Sequence, residues 1–176
     1  MNKGPVLLLL VILLQWFPSI AQIEQGQKDT QITSQLSQRF EEALPEGFER
    51  LRPREKTEKL TRLCWDYREK DSDLALEFGF SGIELAKEHG FEAELGELYN
   101  FVGVVYQHYK HDTRTAIPYY DIGLELSLRA GDSVGVAYVY NNLGDAFLAN
   151  GNIPLARQYG EKSMEMFQKL HHPTGT

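Results

Sequence analysis

The side chains that could carry chemistry are few: one cysteine, five histidines and a surplus of carboxylates, with 25 Asp and Glu against 18 Lys and Arg. His108, His111 and Asp112 form the one cluster with metal-like spacing, three and four residues apart where a helix is expected to end. The same place suits solvated imidazoles meeting the negative end of a helix dipole, and that reading is preferred to a ligand set. His171 and His172 are read in the same way. There is no Gly-rich phosphate loop, no His-Glu-x-x-His, no Gly-x-Ser-x-Gly, and no Cys-His pair arranged for nucleophilic attack. The expectation is a chain that is not an enzyme and takes no metal or cofactor. Cys64 has no second cysteine to pair with, so it reads as a small packing residue rather than a reactive thiol.

The 176 residues carry a formal net charge of −7, with the lysines and arginines outnumbered and scattered. Neutralising phosphates would require a basic stripe, so nucleic acid is excluded as a partner.

Function is left to surfaces, and the elements that would build them repeat. Tyr140, Leu143, Gly144 and Phe147 stand at offsets of three, four and seven, which places them on one helical face. Gly151 stops that helix, Asn152 caps the next with Pro154 in its first turn, and Ala156, Tyr159 and Ser163 form the returning face. Tyr99, Val102, Gly103 and Tyr106, followed by Ala116, Tyr119 and Gly123, repeat the pattern. Leu60, Leu63, Cys64 and Tyr67, followed by Ala75, Phe78 and Gly82, give a third copy. From Ala75 to Ala116 to Ala156 the periods are 41 and 40. Tyr99, Tyr106, Tyr119 and Tyr140 recur at positions facing the paired helix and read as packing; Tyr120 and Tyr138 are less determined.

This pattern resembles the tetratricopeptide repeat, in which a leading helix with Leu-Gly and Tyr is followed by a return helix with Ala and Phe at a period of about 34 residues. Gly103, Tyr106, Ala116 and Tyr120 fit it, as do Leu143, Gly144, Phe147 and Ala156, whereas Gly79 and Gly160 stand where an aromatic is expected. The longer period resembles a bacterial subgroup found in exported sensor regions and transcription regulators. The implied fold is all-α: an α-solenoid, a right-handed superhelix of three helix-turn-helix repeats at about 54–90, 93–131 and 133–170 within a domain at 53–170. Helices are expected near 54–69, 72–89, 93–110, 113–130, 133–149 and 152–170.

Ahead of the array, Lys3, the apolar run from Val6 to Leu14 and Ser19-Ile20-Ala21 read as a secretory signal peptide over 1–21, with the mature chain beginning at Gln22. The run is short for a membrane span, so no membrane insertion of the mature segment is expected. Residues 22–52 read as a polar linker to about residue 29, then one short helix with Ile32, Leu36, Phe40 and Ala43 on its stripe, stopped by Pro45 and Gly47. Gly175 lies 40 residues after Gly135, so 171–176 read as the start of a fourth repeat in a longer parent chain.

The resemblance also implies where such an array binds: on its concave surface, lined by leading-helix residues that flank the core stripe. Those are Arg62, Trp65 and Arg68 in the first repeat, Asn100, Val104 and Gln107 in the second, and Tyr138, Asn141, Asn142 and Asp145 in the third. Amides, a tryptophan and two arginines suit a protein or extended peptide ligand. The implied function is a noncatalytic binding domain exported to the periplasmic or extracellular side of a bacterial envelope, the sensing part of a signalling protein with a downstream signalling domain. A stand-alone envelope scaffold is the alternative.

Overall fold

The computed structural model describes residues 20–171, which form seven α-helices and, among the described residues, no strand. Most of the signal-peptide segment and the proposed start of a fourth repeat lie outside the described residues. The chain divides after Ala43 into two units.

The first unit holds α1, Ile20–Ala43. It corrects the expected linker, since the stretch before residue 29 is helical as well. Gln, Glu, Lys and Ala are tolerant helix formers, and no proline stands between Pro18 and Pro45. No helix among the described residues is long and apolar enough to cross a membrane.

The second unit opens with a 3-10 turn at Phe48–Arg50, followed by α2 (Pro53–Tyr67), α3 (Ser72–His89), α4 (Glu92–Val104), α5 (Thr113–Ala130), α6 (Ser133–Ala149) and α7 (Ile153–His171). Local side chains set the ends. The carboxylates of Asp71, Asp112 and Asp132 accept the backbone N–H groups of Leu74, Thr115 and Gly135 at 3.1, 3.0 and 2.9 Å, each satisfying a donor that the first helical turn leaves open. Asn152 does the same for Leu155 at 3.3 Å. Gly90 and Gly131 close α3 and α5 at φ 69° and 70°, where a side chain would strain the backbone.

The helices pair as hairpins α2/α3, α4/α5 and α6/α7; each return helix packs on the next leading helix, and the leading helices α2, α4 and α6 lie side by side. The result is a tetratricopeptide-like solenoid. Pairing is close where the stripe carries glycine. A Cβ at Gly103 would stand 2.5 Å from the Tyr120 ring, and one at Gly144 would stand 3.3 Å from the Gly160 backbone nitrogen. Cys64 fills the same position of the first hairpin and is fully buried; burial pushes its thiol up to about 12, which leaves it protonated and inert.

One irregularity interrupts the array. After Val104 the backbone passes into a π turn, Val105–Tyr109, with Lys110 N–H donating to the Val105 carbonyl at 3.0 Å, and His111 then takes a left-handed φ of 54°. The expected plain α-helix to Lys110 is therefore corrected. From Tyr106 to Ala116 the second hairpin has one residue more than the third has from Phe147 to Ala156, and the π turn houses it.

Candidate functional site

The side-by-side leading helices leave a cleft of about 620 Å³ along their shared wall. Eight of the ten residues expected on the concave surface line it: Trp65, Arg68, Asn100, Val104, Tyr138, Asn141, Asn142 and Asp145. Arg62 lies outside it, in an adjoining concavity with Glu58 and Glu94 that shares Trp65, Glu97 and Phe101 with the cleft.

Trp65 from α2 and Tyr138 from α6 both line the cleft and are 38% and 54% exposed. Trp65 packs against Phe101 with ring centroids 4.8 Å apart, and the Arg68 guanidinium lies 3.8 Å above its indole. Arg68 is committed to that position, because it also donates to the Trp65 carbonyl at 2.6 Å and pairs with Glu69 at 3.0 Å. Tyr138 meets Phe167 edge-on at 5.3 Å.

Two expected groove residues have other duties. Gln107 is a correction: it is 8% exposed and accepts the Tyr120 hydroxyl at 2.8 Å, so it belongs to the core. The extra residue of the π turn rotates the side chains that follow, which defeats counting by offset from Tyr99. Asn100 does line the cleft, yet it is 7% exposed, and its carbonyl accepts the Asn142 amide at 2.8 Å, linking α4 to α6.

The tyrosines mostly behave as packing residues. Tyr106 stacks on Tyr119 at 5.4 Å, Tyr99 stands 6.1 Å from the same ring, and Tyr140 lies 5.9 Å from Tyr159. The centre of the core is Tyr120 rather than Tyr119; it is fully buried among Val104, Ala116, Val139, Leu143 and Ala146. Burial, and then the negative charge of Asp145, raise its phenol above the ordinary value. Of the histidine cluster, Asp112 is a helix cap, accepting both the N–H and the hydroxyl of Thr115, and that hydrogen bonding lowers its carboxyl. His108 lies at the rim of the cleft.

Sequence reasoning passed over Gly96, Glu97, Ser127, Asp132 and Gly135, which also line the cleft. Ser127 comes from the return helix α5, and a count restricted to leading helices cannot reach it. The available signal was Gly96 and Gly135, near the starts of successive leading helices, where a missing side chain lets α5 show through.

The model of the family described as "Tetratricopeptide repeat" matches residues 94–169, the second and third hairpins. The match supports a tetratricopeptide repeat family. The first hairpin lies outside the matched stretch, and there Cys64 and Gly79 depart from the repeat pattern. The crystal structure of BtubC (BKLC) from P. vanneervenii is similar with a TM-score of 0.60 and 22% identity, over 85% of this chain and 60% of that one. At that identity the likeness shows the fold alone, and this chain spans about three fifths of the length of BtubC. No curated protein matches. Tetratricopeptide repeats form protein-interaction domains in general, and their repeats are generally scaffolds rather than catalysts.

Proposed function

We propose that the cleft along α2, α4 and α6 binds an extended peptide segment of another protein. The observation that carries this is that Trp65 and Tyr138, large aromatics from α2 and α6, are left exposed in a cleft also lined by Asn141 and Asn142. Exposed aromatics rimmed by polar groups are the usual anchors of a binding surface, and side-chain amides can pair with an extended backbone. A displayed random-peptide library selected on the whole chain tests it. Selected peptides should lose about 2 kcal/mol or more of affinity, roughly thirtyfold, for the Trp65→Ala, Tyr138→Ala double variant. Its helical spectrum should persist, since both rings are partly solvated. Peptides that bind the variant undiminished would place binding elsewhere.

The wider reading is an exported sensing or interaction domain of a bacterial signalling protein. It is supported by the basic start, apolar run and Ser19-Ile20-Ala21 of the N-terminal segment. Mass spectrometry of the protein from its native host should find Gln22 at the N-terminus; a chain still beginning at Met1 in the cytoplasm would end the export reading.

A further inference from the structure

The return helices α3 and α5 each pack a recurring stripe onto the leading helix that follows. One, four, eight and eleven residues after the repeat alanine stand Leu76, Gly79, Ile83 and Ala86 on α3, and Ile117, Tyr120, Leu124 and Ser127 on α5. The four on α3 are all buried, and a Cβ at Gly79 would stand 2.6 Å from Val102 Cγ2 of α4. On α5, Tyr120 is fully buried with Val139, Leu143 and Ala146 of α6, and Ile117 and Leu124 pack against the same cluster.

The same count on α7 gives Arg157, Gly160, Met164 and Phe167, with Ile153 one turn ahead of them. Among the described residues no helix follows to cover this stripe. Ile153 and Met164 are 53% and 58% exposed, Arg157 and Gly160 are exposed, and Phe167 is half-buried. Where α5 carries the Tyr120 ring, α7 carries nothing, and a Cβ at Gly160 would meet no atom within 4 Å. Stacked repeats need a polar outer face at their ends to stay soluble. This end instead shows a methionine beside an open gap.

The order of the side chains says what fits there. From Arg157 to Gly160, Met164 and Phe167 the steps are three, four and three, so the stripe reads the same in both directions about residue 162. Many helical stripes share that spacing; the chemistry placed on it is particular to this one. An antiparallel copy of α7 lays Met164 over Gly160 and Arg157 over Phe167, each contact made twice. A protruding side chain then meets a gap, as in the packing of knobs into holes, and a guanidinium meets an aromatic ring. Arg157 is free to do so, since among the described residues it has no ion pair. A surface that complements its own inverted copy is what a two-fold contact requires.

We infer that the open stripe of α7 pairs with the same stripe of a second copy of this chain, antiparallel about a two-fold axis level with residue 162. It thereby gains the cover that α4 gives α3 and α6 gives α5. The contact spans one helix of each copy, so monomer and dimer exchange with concentration. The inference is independent of the peptide-binding reading, because Arg157, Gly160 and Met164 do not line the cleft.

Analytical ultracentrifugation of the whole chain over a range of concentrations tests it, with a helical spectrum recorded for every variant. The parent should pass from monomer to dimer and go no further. Gly160→Met sets methionine against methionine and Met164→Ala sets gap against gap, so each should weaken the dimer by roughly tenfold or more. The double variant Gly160→Met, Met164→Ala exchanges knob and gap on both copies and should restore most of the loss. Damage to α7 itself would accumulate in the double variant instead. If Gly160→Met fails to fold, Met164→Glu, on an exposed side chain, carries the test alone and should leave the chain monomeric. A chain that is monomeric at every concentration, a dimer that Met164→Glu leaves intact, or growth into larger assemblies would overturn the inference. A double variant no stronger than its parts would overturn the antiparallel register.

Discussion

Tyr120→Ala should destabilise the repeat domain by about 3–5 kcal/mol, the range for truncating a large buried aromatic in a core that cannot collapse around the void. Among the described residues, Tyr120 is the largest of the fully buried side chains. Its ring lies in the space that Gly103 leaves open, between the second and third hairpins, and its hydroxyl satisfies Gln107. Truncation removes the packing and leaves the Gln107 carbonyl without its donor. Tyr120→Phe separates the two effects: it keeps the ring, and loss of the hydrogen bond alone should cost about 1–3 kcal/mol. Chemical denaturation of the three proteins checks the order. Equal losses for Ala and Phe would mean that the hydroxyl, not the ring, holds this core.

Leu98→Ala should cost about 2–5 kcal/mol, and the loss should be local in character. Leu98 is fully buried on α4 and fits over Gly82 on α3, where a Cβ would lie 2.8 Å from its Cδ2, with Leu60 of α2 behind. It therefore pins the first hairpin to the second. Repeats of this kind are stabilised by nearest-neighbour interfaces, so weakening one joint uncouples what lies beyond it. Hydrogen exchange should show α2 and α3 losing protection before α5, α6 and α7. Uniform loss across all six helices would show that the array melts as one body and that this joint has no special place.

The helix ends were legible because their determinants are local. Asn152 and Asp71 cap and Gly90 and Gly131 stop, each within a turn of its own position; Asp112 and Asp132 cap in the same way, but sequence reasoning did not single them out for that, Asp112 having been grouped with the histidines instead. Hairpin pairing was legible from Gly103 and Gly144, whose absent side chains mark close approach on a helical period. The cleft was legible only in part. Counting offsets from a core residue assumes an unbroken 3.6-residue helix, and the π turn breaks that assumption at Gln107. It also assumes that a residue beside the stripe faces solvent, which fails at Asn100 because α6 lies over it through Asn142. Ser127 and Asp132 could not be reached from leading helices at all, since one belongs to a return helix and the other to a cap. The early start of α1 was missed because a polar composition reads equally as linker or as solvated helix.

The π turn also matters for how the array would deform. By lengthening the second leading helix it brings Tyr109 and Lys110 back toward the first hairpin, where Tyr109 Oη donates to Glu69 at 3.2 Å and Lys110 pairs with Asp73. Arg54 and Glu94 pair across the same joint at 3.1 Å. Among the described residues, the side-chain polar tie across the next joint is the neutral amide bond from Asn142 to Asn100. Considered as a spring, the molecule has two coils of different stiffness and different sensitivity to its medium. Exposed ion pairs are weakened by dissolved salt and a neutral amide pair is not, so ionic strength would slacken the first coil and leave the second unchanged. A ligand lying along both coils would meet a groove whose curvature one end adjusts to the surroundings and the other keeps.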